Sequence, residues 1–408
     1  MSEKNQVSRR GFLASATTGL VTASMLGLGT GQILAQDEPK KDESKPGKLI
    51  MRELGKTGMK LPIISMGVGG TNNPALVKAA YEAGVRMFDT ASNYGYGRNE
   101  QLVGQVIEKM GVRDKVAIAT KTHVPNQRRG LNPEQSKAKF LKNTEGSLSR
   151  LRTDYVDIMY VHDIRDPETV SEPGAIEALK ELKKAGKVKA AGIATHSRMA
   201  EVIRATIENK DVFDVVLTAI NFTMWDDTEL LSAIAEAHKA GIGVVAMKTQ
   251  AGGSRWPNPE SRANYSSEVI NVACLKWVMQ NENICTSIPG YQDFEQLGQD
   301  FAVASNTEFN EDESRFMSDN SITLGMGFCR QCRKCLASCP NDVEIPDLMR
   351  IHMYSKQYGN FELARQTMDD LKRSRGLAAC VDCSACSAQC ANTVDIPTRI
   401  EELKLIYA

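Results

Sequence analysis

The chain is 408 residues long, enough for one large domain with a small one beside it or for two or three of average size. Lys plus Arg number 50 and Asp plus Glu 50, spread rather than blocked, which excludes the electrostatic footprint of a nucleic-acid or anionic-membrane binder. Small molecules or proteins are the expected partners.

The first element is a paired arginine, Arg9-Arg10, followed by Phe12-Leu13 and a run of Gly, Ala, Ser and Thr in which no charge appears before Asp37. This resembles a twin-arginine export signal over residues 1–35, with Ala35 as a cleavage point. An amphipathic helix would need polar residues at helical spacing. The run is weakly hydrophobic for a stable membrane span, so no span is expected once the signal is removed, an uncleaved anchor being the other outcome. No cysteine lies near Ala35 to carry a lipid. The expected location is the periplasm or another extracytoplasmic compartment. Residues 36–48, QDEPKKDESKPGK, hold no core-forming side chain and read as a disordered tether.

From residue 49 short apolar runs alternate with amphipathic helical stretches. Strand-like runs fall at 63–70, 86–91, 116–123, 156–163, 188–197, 215–222, 243–250 and 285–290. Between them, PALVKAAYEAG, AIEALKELKKAG and ELLSAIAEAHKAG carry apolar residues three and four apart and end at glycine. Eight such units in series predict an α/β fold, a parallel (β/α)8 TIM barrel over residues 49–305. The alternative, a doubly wound open sheet, is weakened because no Gly-rich dinucleotide fingerprint follows the first strand.

The acidic stretch NTEFNEDES marks a boundary, and beyond it, in residues 306–408, lie eight of the ten cysteines. They form two runs, Cys329, Cys332, Cys335, Cys339 and Cys380, Cys383, Cys386, Cys390, at a constant offset of 51 and with matching tails CPNDVEIP and CANTVDIP. Disulfides are the serious alternative in an exported protein. However, disulfide scaffolds rarely repeat a two-residue spacing in series, and structural zinc uses two pairs separated by a longer gap. The C-x2-C-x2-C-x3-C run matches ligation of two 4Fe-4S clusters, in which the fourth cysteine of each run serves the other cluster. Cys329, Cys332, Cys335 and Cys390 then hold one, and Cys380, Cys383, Cys386 and Cys339 the other. Ala391 stands where the first run has Pro340. The intervening helical stretch makes the tail resemble the helical, ferredoxin-like dicluster domains of respiratory and dehydrogenase subunits. Cys274 and Cys285, alone in apolar segments, read as buried core thiols.

Polar residues at the carboxyl ends of barrel strands are where chemistry is expected. Asp89, Lys121 and His162 end the second, third and fourth strands, and Tyr94 follows in SNYGYG. A phenol donates a proton readily near neutral pH only if a cation lowers its pKa. Lys121 would supply that cation, Asp89 would keep it charged, and His162 would orient the substrate oxygen or relay the proton. His123 and His196 fall beside His162, so a three-histidine metal site, as in barrel hydrolases, is a further reading, weakened by the absence of a paired His-x-His after the first strand.

FDTASNYGYGRNEQLVG, ATK, MYVHD, GIATHS and SIPG together resemble the aldo-keto reductase family, in the branch with a C-terminal iron-sulfur domain. The resemblance covers roughly residues 49–300 and the tail. It implies a catalytic tetrad of Asp89, Tyr94, Lys121 and His162, hydride transfer between a nicotinamide cofactor, NAD(P)H, and a carbonyl or alcohol, and a cofactor site touching Thr195, Asn221, Lys248, Pro289 and Gly290. Departures fall on the cofactor side. Ala194-Thr195 replaces the usual Ser-Asn, Leu217 the usual glutamine and Met247 the stacking aromatic. In IPGYQDFEQLGQD no cation faces a 2′-phosphate, and the final residue is Asp300. The expectation is an exported oxidoreductase that interconverts a small carbonyl and an alcohol, passing electrons through two 4Fe-4S clusters to or from a redox protein. The alternative is a catalytically altered barrel that serves as a docking module in an electron-transfer complex.

Overall fold

The computed structural model describes residues 47–124, 131–252, 264–319, 327–371, 373–380 and 386–407. The export signal, most of the tether and Cys383 lie outside the described residues. Eight parallel strands form a nearly closed barrel: β3 (Met66–Gly67), β4 (Met87–Asp89), β5 (Ala117–His123), β6 (Val156–Ile164), β7 (Val188–Thr195), β8 (Val215–Ala219), β9 (Gly243–Met247) and β10 (Thr286–Ser287). Each pairs with the next in sequence, and single bridges Ile64–Ser287 and Gly67–Gly290 join the first strand to the last. All nine residues of β6 are buried, as a strand covered on both faces should be. Gly192 lies against the Tyr160 ring, which a Cβ would meet at 2.6 Å. The bare backbone there is what lets an aromatic fill the barrel interior.

The expected runs all become strands; Val156–Ile164 is one residue longer than its run and the other seven are shorter by one to six residues, most of them because the run continued into the loop that carries its polar residues. Helices begin where capping chemistry marks them: Asn73 with Pro74 opens α1 (Pro74–Ala83), and Asn132 and Gln135 form a capping box with Pro133 at the head of α3 (Pro133–Leu151). Helix α2 (Arg98–Met110) lies between them, and α4 (Pro173–Lys184), α5 (Met199–Glu208), α6 (Thr228–Lys239), α7 (Ser267–Met279) and α8 (Phe294–Ala302) complete the outer ring. An antiparallel hairpin of β1 (Met51–Glu53) and β2 (Lys60–Pro62) precedes the barrel. Arg52 in it donates to the carbonyls of Met279, Asn281 and Ile284 at 2.7 to 3.1 Å, tying it to the end of α7 and the turn that follows.

The tail is helical: α9 (Glu311–Ser318), α10 (Ile345–His352) running on through the π turn Met353–Gln357, α11 (Phe361–Asp369) and α12 (Ile396–Tyr407). Every residue of α10 is buried. It packs on the C-terminal mouth of the barrel, held by a network in which Asp163, after β6's His162, accepts from Arg165 at 2.7 Å and from Arg350 at 2.8 Å. Arg350 also donates to Asp347 at 2.7 Å, and Arg165 pairs with Asp347. Burial opposes ionisation of Asp163, yet Arg350 and Arg165 together hold its carboxyl well below the usual range. Arg330 adds an ion pair to Asp226 at 2.9 Å. Among the described residues no helix is long and apolar enough to cross a membrane.

Candidate active site

A cavity of about 250 Å³ lies between the barrel mouth and the tail. Asp89, Tyr94 and Lys121 line it, with Lys248, Pro289 and Gly290 across from them and Gln357, Tyr358 and Asn360 from the tail. Asp89 and Lys121 are each only 2% exposed, and Lys121 Nζ donates to Asp89 Oδ1 and, at 2.7 Å, to the Thr90 carbonyl. Tyr94 opens the turn Tyr94–Gly97, where Gly95 and Tyr96 adopt positive φ of 56° and 55°. Lys121 Nζ stands 4.9 Å from the centre of the Tyr94 ring, and Gly69 leaves the ring its room, since a Cβ there would meet it at 2.8 Å.

Burial and the charges work in opposite senses here. Burial opposes the charge on Lys121, but Asp89 and Tyr94 outweigh it and hold the ammonium above its ordinary pKa. Asp89 stands above the usual carboxylate range because burial outweighs Lys121. For Tyr94 the expectation of an acidified phenol is corrected: Lys121 does pull it down, but burial pushes it up by more, and the net shift is upward. The acid therefore stays protonated and needs the ammonium mainly to favour the phenolate once its proton has gone. His162 stands edge-on to Tyr94, ring centres 6.2 Å apart, and does not line the cavity. Burial, then His123 and Lys121, drives its pKa well below the ordinary value, so it is a neutral imidazole. It stacks on His123 at 4.6 Å. Burial drives His196 down to about 3 against the pull of Asp163. Among the described residues no three His, Cys, Asp or Glu side chains converge on one ion-sized point.

The nicotinamide side is engaged elsewhere. Thr195 Oγ1 donates toward the Ile164 carbonyl at 2.7 Å, and Asn221 donates to the Lys248 carbonyl while accepting from Thr223. Neither lines the cavity. Lys248, at a positive φ of 59°, donates to Tyr354 Oη at 3.1 Å and lies over the rings of Tyr354 and Tyr358 at 4.3 and 5.1 Å. Gln292 donates to the Tyr358 carbonyl at 3.0 Å, and Gln250 gives its amide to both oxygens of Asp300. A cavity of about 250 Å³, smaller than the roughly 300–1,000 Å³ that holds a drug-sized ligand, has no room for a dinucleotide beside a substrate. The residues present do not fit that cofactor. Composition told of this only indirectly, through the substitutions at Thr195, Leu217, Met247 and Asp300; that the tail would supply the cover was not visible.

The sulfurs group crosswise. Cys329, Cys332, Cys335 and Cys390 surround one cavity, and Cys339, Cys380 and Cys386 another. No disulfide joins Cys329, Cys332, Cys335, Cys339, Cys386 or Cys390. Gln331 Nε2 donates to Cys329 Sγ at 3.4 Å and the Asn392 backbone N–H to Cys390 Sγ at 3.3 Å, the kind of contact that tunes a thiolate-bound cluster. A ring of four sulfurs about a space, rather than about a point, is the donor set an iron-sulfur cubane takes. A second small space, about 20 Å³, is bordered by Cys329 and Met353 on the tail side and by His196 and Lys248 on the barrel side. Cys274 and Cys285 are buried in the barrel, as expected.

Comparison with known proteins agrees with this division. The model of the Aldo/keto reductase family matches residues 71–268, and that of the 4Fe-4S dicluster domain residues 328–394. The aldo-keto reductase YhdN of Bacillus subtilis is 37% identical over 151 residues, 36% of this chain and 42% of that protein, so the match spans less than half of its length. L-galactose dehydrogenase of Arabidopsis thaliana is 26% identical over 64% of this chain and 90% of its own. The holo form of aldo-keto reductase AKR11C1 from Bacillus halodurans superposes with a TM-score of 0.52 at 20% identity, over 66% of this chain and 95% of that one. An aldo-keto reductase from Klebsiella pneumoniae in complex with NADPH superposes with a TM-score of 0.51 at 21% identity, over 66% and 94%. Residues 71–268 thus match the Aldo/keto reductase family and residues 328–394 a 4Fe-4S dicluster domain, and the chain is an oxidoreductase by class.

Proposed function

We propose that this is an exported oxidoreductase that interconverts a carbonyl and an alcohol in the cavity beside Tyr94 and exchanges the electrons with a redox protein through two 4Fe-4S clusters. One observation carries the reading: the buried Asp89–Lys121 pair and Tyr94 line a cavity whose opposite wall, at Lys248 and His196, also borders Cys329 of the first sulfur ring. When bound, iron-sulfur clusters supply one-electron transfer at tunable potential.

The chain's own residues supply the rest. Oxidation of one alcohol breaks an O–H and a C–H bond, forms C=O and releases two electrons and two protons. Two sulfur rings match two electrons. Tyr94 takes the O–H proton when the alcohol is oxidised and gives it back to the carbonyl oxygen in the reverse direction, while the proton of the C–H bond passes to solvent as the two electrons leave through the clusters. Lys121 stabilises the phenolate and Asp89 keeps Lys121 charged and in place. The tail closes one side of the cavity with Gln357, Tyr358 and Asn360. Export by the twin-arginine route rests on Arg9-Arg10 and the uncharged run after them, and suits a protein that folds around clusters before it leaves the cytoplasm.

The test is Tyr94→Phe in the cluster-loaded protein. Loss of turnover by a factor of about 10² to 10⁴ with the cluster's paramagnetic signal unchanged is the expected result. The closed nicotinamide side favours a second reading, a barrel retained as a docking module. Partner-linked electron transfer that is indifferent to Tyr94→Phe supports that reading and overturns the first.

A further inference from the structure

The two sulfur rings come from one repeat, and the repeat is broken in its charges. At the constant offset of 51, Arg330, Arg333 and Lys334 of the first run match Val381, Ser384 and Ala385 of the second, and Gln331 matches Asp382. The second run, CVDCSACSAQC, holds no cation. Nine residues beyond Cys390, the fourth sulfur of the first ring, stands Arg399. Its counterpart nine residues beyond Cys339, which belongs to the second ring, is Leu348.

Of these cations Arg399 weighs most. Arg330 is paired with Asp226 at 2.9 Å and Arg333 with Glu344 at 3.0 Å, and Lys334 is exposed, so their charges are offset or screened. Arg399 is 6% exposed and forms no ion pair among the described residues, Glu402 being taken by His352. It borders the small space that Cys329 shares with His196 and Lys248. Burial works against its charge and lowers its pKa, although a guanidinium stays protonated; the charges that favour it are, in order, Cys329, Glu402, Asp395 and Cys390, two of them sulfurs of the first ring. Gly327, at φ +42°, leaves it room, since a Cβ there would meet Nη2 at 2.9 Å. The amide of Gln331 on Cys329 and the backbone N–H of Asn392 on Cys390 act in the same sense, and Asn392 Nδ2 donates to Cys332 Sγ at 3.7 Å. A buried positive charge and N–H donors beside thiolate-bound iron stabilise its reduced, more negative state and so raise its potential.

We propose that Arg399 sets the two clusters apart, giving the one held by Cys329, Cys332, Cys335 and Cys390 the higher reduction potential. The first electron then rests on the ring beside the barrel, in whichever direction the reaction runs. Arg399 touches no substrate and acts only through that potential. The proposal rests on the reading above in taking each ring as the seat of a cluster.

The experiment is an anaerobic redox titration of the cluster-loaded full chain, with iron and sulfide counted first and the paramagnetic signal of the reduced clusters followed. Two separate one-electron steps are expected. Arg399→Leu, which copies the residue at the matching position, should lower the upper step by about 60 mV, a tenfold change in its reduction equilibrium, and leave the lower step in place. Arg399→Gln, a second neutral variant that keeps a polar head in the same space, should do likewise, and Arg399→Lys should retain most of the upper potential. Movement of the lower step instead of the upper, equal movement of both, or unchanged potentials in the neutral variants at full iron content would overturn the proposal. Two clusters titrating at one potential in the parent protein refute it alone, whereas iron and sulfide sufficient for only one cluster refute the two-cluster reading and this proposal with it.

Discussion

The two sides of the barrel mouth have the same strand-end architecture and opposite fates. On the β4–β5 side, Asp89, Lys121 and Tyr94 line a cavity, and the buried Asp89 Oδ2 has no hydrogen-bond partner. On the β7–β9 side, Thr195 and Asn221 are satisfied within the barrel and Lys248 is capped by Tyr354. Acid–base groups and a dinucleotide site are therefore separable parts of one barrel. The first lines the cavity here, and on the second side Lys248 is engaged by Tyr354 of the tail.

The largest expected effect breaks the open side. Lys121→Met leaves Asp89 buried without its counter-charge, which costs about 3–5 kcal/mol of stability unless Asp89 takes up a proton. Turnover should fall by a factor of about 10³. Steady-state kinetics and denaturant unfolding measure the two separately, and a variant as active and stable as the parent would show that the pair is ornamental.

Next comes a pH effect on the closed side. Burial pushes Asp300 up to about 7, only partly relieved by Gln250. Its folded pKa lies above its unfolded value, so the folded state binds the proton more tightly. This contribution therefore destabilises the fold progressively as pH rises from about 4 to about 7, and is absent below that window. The slope integrates to at most roughly 4 kcal/mol. Asp300→Asn should flatten unfolding free energy against pH in that window, whereas an unchanged slope would contradict the assignment.

Arg350→Met tests the clamp between the sides. Removing it leaves Asp163 and Asp347 sharing Arg165, at a cost of about 3 kcal/mol. Limited proteolysis should then cut the tail faster while the barrel persists. The smallest effect is the sharpest. Gly69→Ala places a methyl 2.8 Å from the Tyr94 ring, so the ring must shift, and kcat should fall about tenfold with substrate affinity and the cluster signal little changed. An unaffected kcat would mean that the position of Tyr94 is immaterial.

The barrel was legible because eight apolar runs, each followed by an amphipathic helix, carry their pattern locally. The crossed sulfur grouping was legible because the spacing of Cys329 to Cys339 repeats at Cys380 to Cys390. Asp89 and Lys121 were read from their positions toward the carboxyl ends of strands, and Tyr94 from the loop just after Asp89. The direction of the Tyr94 shift was not, because desolvation depends on how deeply a side chain is covered, and the cover here comes from residues some 260 positions away, among them Tyr358 and Asn360. His162 was expected to meet the substrate oxygen; it stands edge-on to Tyr94 and does not line the cavity. Gln357 was missed because an isolated amide in a helical stretch carries no sequence signal, and only the tail folding onto the mouth brings it to the cavity.

The most direct measurement is anaerobic mixing of the oxidised, cluster-loaded protein with a panel of small alcohols, without nicotinamide, while the visible absorbance of the clusters is followed. The account expects the clusters to be reduced by the substrate, at a rate lowered at least a hundredfold by Tyr94→Phe. Reduction only after nicotinamide is added, or at the same rate in the Tyr94→Phe protein, would contradict it.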